Sequence, residues 1–248
     1  MVEIEEVHKE VASYVSKFTF ALLTCEADER YDLFGTCVAI GILGQKFLLT
    51  AIHVVEQLIN SNKQAVVALS NGPIVRLDLD DVVHIVREGV ELDSCLIRFE
   101  QAPSVTEFLR QDEIYLEQDA LFKEKHFMQG YPVSKNKMVK INDHENEQVV
   151  SGYISVIMKL DNSVKHDFEN VNESAHVLFN YKAGIRFSEG AEPIQVKKNN
   201  MIQLRGLSGC GIWAFDPSLG KVKLAALFFA YKNGVGLGTR VSEIFGKA

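Results

Sequence analysis

The segment Gly206-Leu207-Ser208-Gly209-Cys210-Gly211, running into the apolar stretch Ile212 to Phe215, decides how this chain is read. Glycines on both sides of a serine let the backbone come close to a bound molecule and turn amide N–H groups toward whatever the hydroxyl attacks. A seryl hydroxyl is a weak nucleophile on its own, so the motif needs a base and a group that orients the base. The chain supplies both upstream. His53 stands in Leu48-Leu49-Thr50-Ala51-Ile52-His53-Val54-Val55, and Asp93 in Glu91-Leu92-Asp93-Ser94-Cys95-Leu96-Ile97. Each signal alone is weak, and their order along the chain strengthens them.

Composition sets the frame. A chain of 248 residues, 47% hydrophobic and 24% charged, has the make-up of a globular protein with a sizeable core. A net charge of −7 argues against a nucleic-acid surface, which concentrates Lys and Arg. Lys197-Lys198 and the lysines from Lys135 to Lys140 read as solvated loops. No apolar run approaches the roughly 18 residues of a membrane span, so no membrane association is expected. The start, Met1 to Val7, is acidic and lacks the basic-then-apolar pattern of a secretory signal. Cys25, Cys37, Cys95 and Cys210 show neither metal-ligand spacing nor a disulfide framework, which fits small buried thiols in a reducing cytoplasm. Neither metal nor organic cofactor is expected.

Residues 3 to 18 carry Ile4, Val7, Val11, Tyr14, Val15 and Phe18 at helical spacing, which predicts an amphipathic N-terminal helix. From Thr19 on, short apolar runs read as strands: Phe18–Leu23, Cys37–Leu43, Lys46–Thr50, Gln64–Leu69, Ile74–Leu77, Val82–Val86 and Cys95–Phe99. A short helix is expected over His53–Leu58. Gln101–Gln118 reads as a connection with a little helix. A second β-rich stretch follows: Phe127–Gly130, Val149–Met158, His176–Tyr181, Met201–Leu204, Ile212–Phe215, Lys223–Tyr231 and Val235–Val241. Asp161–Ser174 and Phe187–Asn200 are polar and loop-like. Many short strands in two halves predict an all-β chain built as a pair of barrels or a sandwich.

These residues resemble the chymotrypsin-like (trypsin-fold) serine proteases, and bacterial single-domain members in particular. Phe34-Gly35-Thr36-Cys37-Val38-Ala39-Ile40 with Phe47 to Val55 looks like the strand pair presenting the catalytic histidine. Leu92 to Phe99 is similar to the family's aspartate followed by an apolar strand. Gly130-Tyr131-Pro132 matches a tripeptide of the bacterial members' second barrel. Gly206 to Gly211, then Gly238 to Ile244, resembles the nucleophile loop and terminal strand, so the likeness spans about residues 19 to 245. It implies two antiparallel β-barrels, over 19–110 (His53, Asp93) and 111–248 (Ser208), after a helix over 1–18. It also implies a serine endopeptidase acting on polypeptides. Ser208 attacks, His53 carries the proton, Asp93 orients His53, and the N–H groups of Gly206 and Ser208 form the oxyanion hole. Ile202, Phe229 and Gly236 would border the substrate pocket. No acid stands at the expected floor, so an apolar preference is expected rather than cleavage after Lys or Arg.

The departures are specific. Ile52 stands where the family has a small alanine, Leu207 where zymogen-activated members have aspartate, and Cys210 where a second glycine is usual. Leu207 argues against activation by N-terminal cleavage. Cys210 would be a rival nucleophile only in a register that puts glycine at Ser208. Asp78, Asp80 and Asp81 rival Asp93 but lack its apolar strand, and His176 is expected near the cleft only from its place in the second half. A protease in the cytoplasm is expected to be controlled by a protein partner, by restricted substrate choice or by a disordered active site. Two further readings are a catalytically silent module that grips peptides by strand addition, and an acyl hydrolase. Against the latter, the chain lacks the strand–GxSxG–helix elbow that such folds use.

Overall fold

The structure, a computed structural model, describes residues 2–27, 30–69, 73–104, 106–114, 125–133, 139–140, 153–188, 191–195, 204–216 and 221–246. It is mostly β, as expected. The helix expected at the N-terminus is α1 (Val2–Ser16). The first half then runs β1 (Thr19–Cys25), β2 (Arg30–Ile42), β3 (Gln45–Thr50), α2 (Ile52–Asn60), β4 (Gln64–Ala68), β5 (Ile74–Arg76), β6 (Val82–His84) and β7 (Cys95–Arg98). These strands form one curled antiparallel sheet in the order β5-β4-β1-β2-β3-β7-β6. A 3-10 turn at Gln111–Glu113 lies in the connection to the second half.

The second half holds β8 (Lys125–Gly130), β9 (Val139–Lys140), β10 (Ile154–Met158), β11 (His176–Asn180), β12 (Ile185–Ser188) and β13 (Ala191–Gln195). It ends with β14 (Gly211–Asp216), β15 (Lys221–Lys232), β16 (Val235–Arg240) and α3 (Val241–Phe245). Its sheet is ordered β11-β16-β15-β14-β8-β10-β12-β13. β9 pairs with β2 of the first sheet.

Turn chemistry sets two of the registers. Leu43-Gly44 links β2 to β3 with φ of 50° and 80°, and Asn233-Gly234 links β15 to β16 with φ of 52° and 94°. Two successive positive-φ residues match the right-handed twist of the strands they join. Two sequence expectations differ from the structure. Part of the supposed loop Phe187–Asn200 is strand, with Phe187 and Ser188 in β12 and Ala191–Gln195 forming β13. β13 is an edge strand, where Pro193 costs no ladder hydrogen bond, and its polar composition hid it. Val241 opens α3 instead of ending a strand. Of the expected strand Met201–Leu204 only Leu204 is described, outside any strand, and residues 149–152 lie outside the described residues.

Three of the apolar clusters among the described residues position the site. Phe20, Leu22, Leu48, Val54, Leu58, Val67 and Phe99 fill the first half, and Met128, Val156, Phe179, Tyr181, Ile212 and Phe228 the second. The third lies between the halves. There Val11, Ala12 and Val15 of α1 pack with Val38 and Leu49 of one sheet, Phe127, Trp213 and Leu227 of the other, and Val241 of α3. The 3.6-residue stripe read in the sequence is therefore the face that braces both sheets. Tyr14 adds a hydroxyl bond to Glu113 Oε1 at 2.5 Å in the connecting segment.

His8 anchors the same helix over the second sheet. Its Nε2 shares a hydrogen bond of 2.7 Å with Ser155 Oγ, and its ring stacks on Phe187 at 3.7 Å. Burial lowers its pKa from 6.5 to about 4. The folded chain thus keeps His8 neutral while the unfolded chain takes up a proton, and stability falls as pH drops from 6.5 toward about 4. Thermal melts across that window should fall more steeply for the wild type than for His8→Gln, which keeps a polar partner but does not titrate. Parallel slopes would remove His8 as the cause.

Candidate active site

The N-terminus of α2 presents His53. Ala51, its N-cap residue, is extended (φ −78°, ψ 141°), so the chain turns from β3 directly into the helix and leaves His53 on its first turn. Ile52, the bulky residue in this segment, packs at the border of the first core. Asp93 stands just before β7 with φ +28°, in the left-handed region that non-glycine residues rarely occupy. In that conformation its carboxylate accepts twice from His53: Oδ1 from the backbone N–H at 3.1 Å and Oδ2 from Nδ1 at 2.6 Å. A negative charge is also favoured beside the first turn of a helix, where N–H groups lack intrahelical acceptors. The rival acids lie elsewhere: Asp81 pairs with Arg98 at 2.8 Å, and Asp78 Oδ1 accepts from the N–H of Asp80 in an exposed turn.

The Ser208 loop is fixed by its own backbone. The N–H groups of Leu207, Gly209 and Cys210 donate to the carbonyls of Leu204, Phe228 and Leu207 at 3.0, 2.8 and 2.9 Å. Among the described residues, the N–H groups of Gly206 and Ser208 have no acceptor. The peptide plane explains Gly206. The carbonyl of Arg205 accepts from Val133 N–H at 2.8 Å, and across a trans peptide the N–H of Gly206 then points the opposite way. Gly206 has φ +93°, and a Cβ there would lie 2.6 Å from the Tyr131 carbonyl. Leu207 and Cys210 are both fully buried in the second core, so apolar packing seats the loop. Burial pushes the Cys210 thiol far above its ordinary range and the Cys95 thiol up to about 12, which leaves neither as a nucleophile. All four cysteines are free thiols.

The two halves meet at this loop. Thr36 N–H donates to the Ser208 carbonyl at 2.9 Å, and Thr36 Oγ1 to the Gly206 carbonyl at 2.8 Å. A Cβ placed on Gly35 would lie 2.6 Å from Val54 Cγ1 and 3.1 Å from the Ser208 carbonyl, so the start of α2 and the serine loop converge there. His53 and Asp93 are therefore in direct contact, and Ser208 lies across the junction from them. Its hydroxyl, however, donates to the Phe229 carbonyl at 3.2 Å, and no hydrogen bond joins it to His53.

Of the expected pocket residues, Phe229 sits at a β-bulge between Phe228 and Ala230 that turns it out of the β15 ladder. Gly236 faces the ring of Phe179, whose Cζ would be 2.1 Å from any Cβ there. Ile202 lies outside the described residues. His176 is buried, with only 2% of its surface exposed, and it contacts the segment before Asp93. Among the described residues, no group of His, Cys, Asp or Glu is arranged to hold a metal ion, and no helix is long and apolar enough to cross a membrane. In comparisons with known proteins, no family model and no curated protein matches this chain.

The loop geometry sets a stability test. A Cβ at Gly209 (φ +87°) would lie 2.1 Å from the Thr36 carbonyl and 2.2 Å from Thr50 Oγ1, whereas one at Gly44 (φ +80°) would meet nothing within 4 Å. Gly209→Ala should cost about 3 kcal/mol or more in urea denaturation, against about 1 kcal/mol for Gly44→Ala. Equal losses would mean that the contact with Thr36 is not tight.

Proposed function

We propose that this chain is a serine endopeptidase of the chymotrypsin type, its two curled sheets being the two antiparallel barrels that the sequence resemblance implies. The observation that carries the reading is the pair of acceptor-free N–H groups, at Gly206 and Ser208, on the loop that bears the serine. Donors left unpaired at a fixed spacing are what an acyl-transfer site needs, because negative charge develops on the carbonyl oxygen as the tetrahedral intermediate forms. Ser208 Oγ attacks the scissile carbonyl, and His53 Nε2 takes its proton. Asp93 holds the proton on Nδ1, so that Nε2 is the free base, and stabilises the imidazolium. The amine leaves with the proton from His53, and water releases the acyl group by the same steps. For the attack the Ser208 hydroxyl must leave the Phe229 carbonyl, its acceptor at 3.2 Å, for Nε2.

Free thiols at all four cysteines support a reducing compartment, the cytoplasm. One observation favours a second reading, a silent peptide-binding module or a protease that awaits a partner: the Ser208 hydroxyl rests on Phe229 instead of His53.

A fluorophosphonate probe separates these readings. The wild type should label, and Ser208→Ala and His53→Ala should each abolish labelling, with rate losses of about 10³-fold or more. A folded wild type that stays unlabelled would contradict a constitutively active protease.

A further inference from the structure

Asp93 is held in place from the other half of the molecule. The backbone before it offers two carbonyls, and both are taken by side chains of the second sheet. His176, at the start of β11, sets its Nε2 at 2.9 Å from the Glu91 carbonyl, and Thr239 Oγ1 of β16 donates to the Leu92 carbonyl at 2.7 Å. The two residues are cross-strand partners in the β11–β16 ladder, so one rung of the second sheet reaches both carbonyls.

The protonation state of His176 follows from its neighbours. Its Nδ1 accepts from the backbone N–H of Asn172 at 3.0 Å, which leaves Nε2 as the protonated nitrogen and makes it the donor to Glu91. Burial lowers the pKa of His176 and favours this neutral form. The backbone that carries the ring is itself clamped. Arg240 Nε donates to the His176 carbonyl at 3.2 Å and Arg240 Nη2 to the Glu173 carbonyl at 2.7 Å, while the N–H of His176 bonds the Asn172 carbonyl at 2.8 Å. Thr239 is fully buried.

Asp93 needs such a hold, because its φ of +28° is a conformation that persists only where the surroundings impose it. We propose that His176 and Thr239 are positioning residues for the orienting acid: by fixing the Glu91 and Leu92 carbonyls they hold Asp93 in its left-handed conformation with both carboxylate oxygens on His53. The inference rests on the hydrolase reading for its consequence in catalysis, and on the described geometry alone for its consequence at His53. It makes the second half, which carries the serine, a determinant of the base on the first.

The test reads the tautomer of His53 directly, by nitrogen NMR of the full chain carrying isotope-labelled histidine, above the pH at which its imidazoles are protonated. In the wild type the proton of His53 should sit on Nδ1. Thr239→Val and His176→Leu, each removing one donor, should populate the Nε2–H tautomer and slow fluorophosphonate labelling roughly 10- to 100-fold. Thr239→Ser and His176→Gln keep a donor near the same place and should restore both readouts. A merely structural role would lower thermal stability without moving the tautomer. Folded Thr239→Val and His176→Leu chains that keep the proton on Nδ1 would overturn the proposal. A tautomer that shifts in a protein that never labels would uphold the hold on Asp93 and remove the hydrolase reading instead.

Discussion

Thr36 is the residue on which the site's geometry turns. It is fully buried on β2, and four of its polar contacts come from three parts of the chain. Its N–H and Oγ1 reach the Ser208 and Gly206 carbonyls, its Oγ1 accepts from the N–H of Tyr131, and its carbonyl accepts from Thr50 Oγ1 at 2.8 Å. Thr50 ends β3, three residues before His53, and Tyr131 follows β8 in the second sheet. The strand leading to the histidine, the loop bearing the serine and the strand behind that loop thus converge on a single residue. Buried polar groups of this kind carry a desolvation cost unless every partner is in place, which makes their arrangement discriminating.

Around that hub the site is built from backbone as much as from side chains. The Arg205 carbonyl is occupied by Val133, so the Gly206 N–H points the opposite way. Glycine at Gly209 is required by contact with Thr36 and Thr50. Leu207 and Cys210 drive the loop into the second core by burial, a force that needs no partner charge and no cleavage event. On the other side, Asp93 accepts both hydrogen bonds from His53 in a backbone conformation that the second sheet stabilises. The N-terminal helix closes the molecule between the halves, with one apolar face in the shared cluster and Tyr14 and His8 as polar ends.

Much of this was legible in the sequence because it is local. The glycines around Ser208, the apolar strands before His53 and after Asp93, and the stripe of α1 each follow from spacing within a few residues. The rest arises from contacts between distant residues. Thr36 and Gly206 stand 170 positions apart, and Thr239 and Leu92 stand 147 apart. A threonine in a strand carries no sign of which carbonyl its hydroxyl will meet. The place of His176 in the second half suggests only that it lies near the cleft, and its part in holding the Asp93 segment becomes visible in the β11–β16 pairing. β13 was hidden by Glu192, Pro193 and Gln195, which suit a polar edge strand as well as a loop.

The central claim is that Ser208 is a nucleophile whose proton goes to His53. Its most direct test is acylation by an activated ester, read as intact mass and then located by peptide mapping. The account predicts one acyl group on the peptide that carries Ser208, formed by the wild type and absent from the His53→Ala chain. An acyl group on another residue, or one that forms on Ser208 as fast without His53, would contradict it.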